Sequence, residues 1–144
     1  MTLAIKEMVY MNERPRTGKE ILAKDSYKGY EYMVVSYGVH PCAYIALTED
    51  QPYYKADDYE DVDVPCHGGC TFVEWGYEGV YDKTYKVIGW DYGHYNDFSG
   101  LCLNTGHHLS VSEGKKWTTE EMVQECHDVI DKLYVMEHPE LYYT

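Results

Sequence analysis

From Thr118 onward the apolar residues recur at helical spacing. Met122, Cys126, Val129, Ile130 and Leu133 fall at i, i+4, i+7, i+8 and i+11, which is one face of a helix. Thr118 followed by Glu121 forms a capping box at its start, so a helix is expected over 117–136. Upstream the period changes to two. Glu31–Tyr37 alternates and is rich in Val and Tyr, and Cys42–Thr48 follows after a turn at Gly38–Pro41, so the pair reads as a hairpin. A third strand is expected over Cys70–Tyr77 and a fourth over Tyr85–Asp91, joined by a hairpin loop at Glu78–Thr84. Before them, 1–29 is a polar segment in which Thr17 and Glu20 predict a short helix through Ala23. Glu49–Asp63 reads as a solvated acidic loop, and Ser99–Gly114 as an irregular connection. The helix must lay its apolar stripe on something, and the sheet is the available partner. The expectation is a single α+β domain over 1–144: a polar segment at 1–29, an antiparallel sheet with its loops at 30–114, and a C-terminal helix at 117–136 packed on one face of the sheet.

Composition changes this picture little and charge changes it more. A chain of 144 residues with 44% hydrophobic positions can build a core without staples. A formal charge of −13 works against binding nucleic acid through its phosphates, and against an anionic membrane surface. No apolar run reaches the roughly 18 residues that a membrane helix needs. Met1–Met11 carries Lys6 and Glu7 and has no apolar core of its own, so a signal peptide is not expected there. The five cysteines, an odd number, are expected to be reduced thiols rather than a disulfide framework. Tyrosine is the compositional outlier, with 17 copies against two phenylalanines. Its flat apolar face and polar tip suit wet contacts as well as strands.

Two clusters carry candidate chemistry. In Pro65-Cys66-His67-Gly68-Gly69-Cys70 the glycines permit a sharp turn or close approach of a ligand beside an imidazole. A zinc set of Cys66, His67 and Cys70 is set aside, because the spacing is not a standard ligand pair and no second cysteine pair follows. In Gly89-Trp90-Asp91-Tyr92-Gly93-His94-Tyr95-Asn96-Asp97 a strand ends in a carboxylate, and a histidine and a second aspartate follow at spacings of three. If the third and fourth strands form a hairpin, His67 and Asp91 fall at the same end of it, so His67, Asp91 and His94 are expected to converge. The ligand-binding set is then His67, Gly68, Gly69, Trp90, Asp91, Tyr92 and His94. A divalent metal is left open, with His67, Asp91, His94 and Asp97 as its mixed N/O donors; no cofactor is assigned. A turn in which Asp91 and His94 simply bond nearby backbone accounts for the same residues. His107 and His108 are adjacent and would point apart on a strand, so they stay outside the site. His40 reads as turn chemistry, and His127 and His138 as surface residues of the last helix. Lys83, Lys86, Lys115 and Lys116 are the candidate local cations for an anionic ligand.

Cys42-Ala43-Tyr44, the tyrosine-rich acidic stretch Tyr53–Tyr59, His67-Gly68-Gly69, Gly89–Asp97 and a trailing helix with Trp117 and Glu125 together resemble a family of small proteins of unassigned function encoded by bacteriophages and prophages. The resemblance spans roughly Tyr30 to Leu133. Relatives carry aliphatic residues in place of Cys66 and Cys70, a further argument against thiolate zinc. What the resemblance implies is an accessory gene product acting in the cytoplasm of the bacterial host, a setting in which counter-defence is common. The expected function is therefore sequestration of a small nucleotide-like ligand, an immune signal of the host, by binding rather than catalysis. Two alternatives stand beside it: a metal-dependent hydrolase of such a nucleotide, and an acidic inhibitor that acts by protein contact as a nucleic-acid mimic. Self-association is left open.

Overall fold

The structure is a computed structural model, which describes residues 20–38, 40–93, 98–102, 108–113 and 115–141. Five strands form one antiparallel sheet: β1 (Glu20–Tyr27), β2 (Tyr30–Ser36), β3 (Pro41–Leu47), β4 (Phe72–Tyr77) and β5 (Tyr81–Asp91), in the order β1-β2-β3-β5-β4. β6 (Phe98–Cys102) and β7 (His108–Glu113) pair separately, and α1 (Thr119–Glu137) follows. The α+β class and the packing of the sheet against a C-terminal helix are as expected from the sequence.

The capping box of α1 is formed. The Thr118 hydroxyl accepts from the Glu121 amide and the Glu121 carboxylate accepts from the Thr118 amide, both at 3.0 Å. Met122, Cys126, Val129, Ile130 and Leu133 are buried on Leu22, Tyr32, Val34, Ala43, Ile45, Ile88 and Trp90. The polar flank of the helix is tied to the first hairpin. Tyr30 donates to Glu137 at 2.7 Å and Tyr27 to Asp131 at 3.0 Å. His127, expected at the surface, instead stacks on Tyr27 at 4.1 Å and lies 3.2 Å from the Tyr32 hydroxyl.

Three local expectations differ from the structure. The helix expected from Thr17 to Ala23 gives way to β1 from Glu20 onward. The cause is Lys28-Gly29, with φ of 51° and 83°. A two-residue turn with both φ positive carries the twist that closes a tight hairpin, so Tyr27 pairs with Tyr30 and 20–27 is drawn into the sheet. The loop Glu78–Thr84 is shorter than expected, because Tyr77 already pairs with Tyr81 around Gly79. The stretch Ser99–Gly114 contains most of β6 and β7.

The reverse face of the sheet is apolar too. Met33, Val35, Cys42, Tyr44, Ala46, Tyr81 and Val87 form a second buried cluster. β2 and β3 are accordingly almost continuous apolar runs, the mark of strands buried on both faces. Tyr44 is seated there by Gly89, which it faces across β3 and β5. A Cβ on Gly89 would lie 2.5 Å from the Tyr44 ring and 2.8 Å from the Ala43 carbonyl oxygen. Backbone cannot retreat far in a central ladder, so Gly89→Ala is expected to cost about 3 kcal/mol by overpacking. Chemical denaturation of the variant checks this, and an unchanged midpoint would show that the ring moves freely.

The acidic loop is not merely solvated. Asp57, Asp58, Glu60, Asp61 and Asp63 are exposed, but Ala56, Val62 and Val64 are buried in the cluster under the helix. The loop therefore covers part of the sheet. A buried lysine pins it: Lys86, 2% exposed, donates from Nζ to the Ala56 carbonyl.

Candidate functional site

The segment Pro65–Cys70 makes the turn that the glycines allow. Gly68 and Gly69 have φ of 69° and 85°, a region side chains disfavour, and the Gly69 amide donates to the Cys66 carbonyl at 2.9 Å. Both glycines are exposed, and none of the described residues stands within 4 Å of where a Gly69 Cβ would be. The turn delivers His67, half-buried, to the helix-covered side of the sheet. Its ring stacks on Tyr92 at 4.7 Å with 13° between planes and meets the Trp117 edge at 4.9 Å. Tyr92 and Trp117 are 5.1 Å apart, so three rings close on one another. Lys115 places its ammonium 4.2 Å over the Trp117 ring and pairs with Glu121 at 2.7 Å.

Beneath the rings is a shared carboxylate. Glu125 of α1 accepts from the Tyr92 hydroxyl and from the Trp90 indole N–H, the latter at 3.2 Å, and Trp90 also reaches the Tyr92 oxygen at 3.0 Å. Burial, and then the Glu125 carboxylate, raise the Tyr92 phenol well above its ordinary range. A proton held between a phenol and a carboxylate satisfies both groups where water is excluded. This network fixes the last residues of β5 against the helix and holds the ring on which His67 rests.

Asp91 does not join this group. Trp90 and Tyr92 lie on the helix side, and strand alternation turns Asp91 to the reverse face, opposite Cys42 in the register. There its carboxylate accepts from Thr71 Oγ1 at 3.2 Å and from the Gly93 amide at 3.0 Å, which closes the turn after β5. His40 packs against the same turn, since a Cβ on Gly93 would lie 2.7 Å from its ring. The expected convergence of His67 with Asp91 thus fails on the pleat: both fall at one end of the hairpin but on opposite faces. His94, Asp97 and His107 lie outside the described residues. Among the described residues no three His, Cys, Asp or Glu side chains are grouped to hold a metal ion.

The thiols near the turn are protonated ones. Burial pushes the Cys66 thiol up to about 12 and raises Cys70, whose Sγ donates to the Phe72 carbonyl at 3.4 Å. Thiolate is the metal-binding form, so such thiols act as small apolar residues. Cys66→Val with Cys70→Leu is expected to leave the unfolding midpoint close to the parent's. Stoichiometric zinc in the parent, lost in the double variant, would reinstate the metal-thiolate reading.

Two features of the site had little local signal. Glu125 and Trp117 enter the sequence reading only as part of a resemblance, because one belongs to a helix and the other to a connection with no chemistry of its own. Their joint position depends on where α1 crosses β5. No protein-family model, curated protein or solved structure matches the chain.

Proposed function

We propose that the protein binds a small nucleotide-like ligand at the Gly68–Gly69 turn and holds it without turning it over. The observation that carries this reading is the ring group at an exposed turn: His67 and Trp117 are half-buried, Tyr92 backs them, and none of the described residues occupies the space over Gly69. A base stacked on such rings gains about 1–3 kcal/mol. Exposed backbone at two left-handed glycines lets a polar group approach closely. Lys115, its ammonium over the Trp117 ring, supplies positive charge beside the rings in a chain that is otherwise strongly negative. In the phage setting that the sequence resemblance implies, such a site would withdraw a nucleotide signal of host immunity from circulation.

The test is equilibrium dialysis against a panel of linear and cyclic nucleotides, with and without divalent metal. Saturable binding is expected for part of the panel, with intact ligand recovered after heat denaturation. Trp117→Ala and His67→Ala should each weaken it by about tenfold or more while the circular dichroism spectrum is kept. Recovery of a cleaved product would replace sequestration by hydrolysis. Binding that survives both substitutions would move the site elsewhere.

A further inference from the structure

A second surface lies on the edge strand β4, away from the ring group. Trp75 is 47% exposed, unusual for so large an apolar side chain, yet it is held firmly. The buried Lys86 ammonium lies 4.0 Å under the ring, and Tyr54 meets it edge-on at 5.1 Å. Burying an ammonium is costly, and Lys86 offsets the cost with one loop carbonyl and the face of Trp75. The indole is thereby fixed before anything binds it, and a rigid exposed tryptophan loses little entropy on contact.

Trp75 is the ridge between two depressions of 550 and 610 Å³. The first is lined by Phe72, Tyr77 and Tyr81, with the exposed carboxylates Glu74 and Glu78 set against Lys83. Tyr81 is 6% exposed, and its hydroxyl has no hydrogen-bond partner among the described residues. Glu49 adds a further carboxylate to the second depression. At Gly76, φ is 76° and the ladder shifts register, which ends regular pairing just past the tryptophan.

β4 ends the strand order, so its outward amides and carbonyls form a pairing template. We infer that the β4 edge docks an extended, basic peptide segment of a protein partner, which adds a strand beside Phe72–Trp75 and sets its cationic side chains against Glu74 and Tyr77 on one face and its apolar side chains against Trp75 on the other. Strand addition supplies backbone hydrogen bonds and alternate side chains supply selectivity. The net charge of −13 and the groove carboxylates select a positive partner and repel an acidic one.

The probe is a short labelled peptide of alternating arginine and valine, followed by fluorescence anisotropy with the full chain. Saturable binding is expected. A glutamate–valine analogue should not bind, and N-methylation of alternate peptide amides should weaken binding by about tenfold. Trp75→Ala should do the same. Because that change uncovers Lys86 and can loosen the fold, the surface double variant Glu74→Lys with Glu78→Lys gives an independent measurement and should also lose about tenfold. Equal binding by the parent and the double variant, or by the N-methylated peptide, would reduce the effect to diffuse charge attraction and overturn the proposal. So would a dimer in sedimentation that Trp75→Ala abolishes, since the edge would then belong to a second copy of this chain.

Discussion

Ile130→Ala is expected to lower the unfolding free energy by about 2–5 kcal/mol. Ile130 is fully buried, at 0% exposure, in the cluster that α1 forms with β1, β2, β3 and β5. Removing three carbons there loses their transfer free energy and leaves a void that the sheet cannot collapse into, because β2 and β3 are held by ladders on both sides. The expected loss is a large part of the stability of an ordinary domain, about 5–15 kcal/mol. Urea titration followed by far-ultraviolet circular dichroism measures it. A midpoint equal to the parent's would mean that this helix face does not bear on the sheet.

Raising the pH should unfold the protein cooperatively between about pH 10 and 11. Burial pushes the Cys42 and Cys66 thiols up to about 12 and raises Cys70 and Cys126. Burial also raises the phenols of Tyr30, Tyr44, Tyr81 and Tyr92, with Glu137 and Glu125 adding to Tyr30 and Tyr92. Unfolded thiols lose their proton near pH 8.5 to 9, and unfolded phenols near 10. Above about pH 9 the unfolded chain therefore binds fewer protons than the folded one, and the unfolding free energy falls as pH rises. Each such group contributes up to about 1.4 kcal/mol per pH unit, so several together exhaust the stability of a domain within one or two units. The measurement is helix ellipticity against pH, with tyrosinate absorbance recorded in parallel. A cooperative rise in tyrosinate should coincide with loss of the helix signal. Full tyrosinate formation with ellipticity intact would show that these phenols reach solvent in the folded state.

The helix was legible because every level of the sequence agreed on it. Thr118 and Glu121 announce its start, and the residues from Met122 to Leu133 at helical spacing are the ones that the structure buries. β2, β3 and the core of β5 were legible from apolar alternation and β-branched content, and the turns between them from Gly and Pro. β1 was not. Its pattern is weak, and what recruits it is the left-handed pair Lys28-Gly29, whose meaning as a hairpin turn depends on β2 being there to receive it. The apolar residues of the acidic loop were equally visible in the sequence, but charge dominated their reading. Only the position of the loop over β4 and β5 turns Ala56, Val62 and Val64 inward.

The candidate site divides along the same line. The fold class, the helix with its buried stripe, the glycine turn beside His67 and the strand that ends at Asp91 are all written in the linear chain. These depend on local periodicity and backbone preference, which a short stretch of chain carries on its own. Which chemistry meets was settled by packing. It separated His67 from Asp91, because successive residues of a strand face opposite ways. It joined His67 to Tyr92, Trp117 and Glu125, and Lys86 to Trp75, across separations in sequence that no local pattern encodes. Side chains from distant elements are brought together by the packing that excludes water from the core, and the cost of leaving their polar groups unpaired then selects the partners.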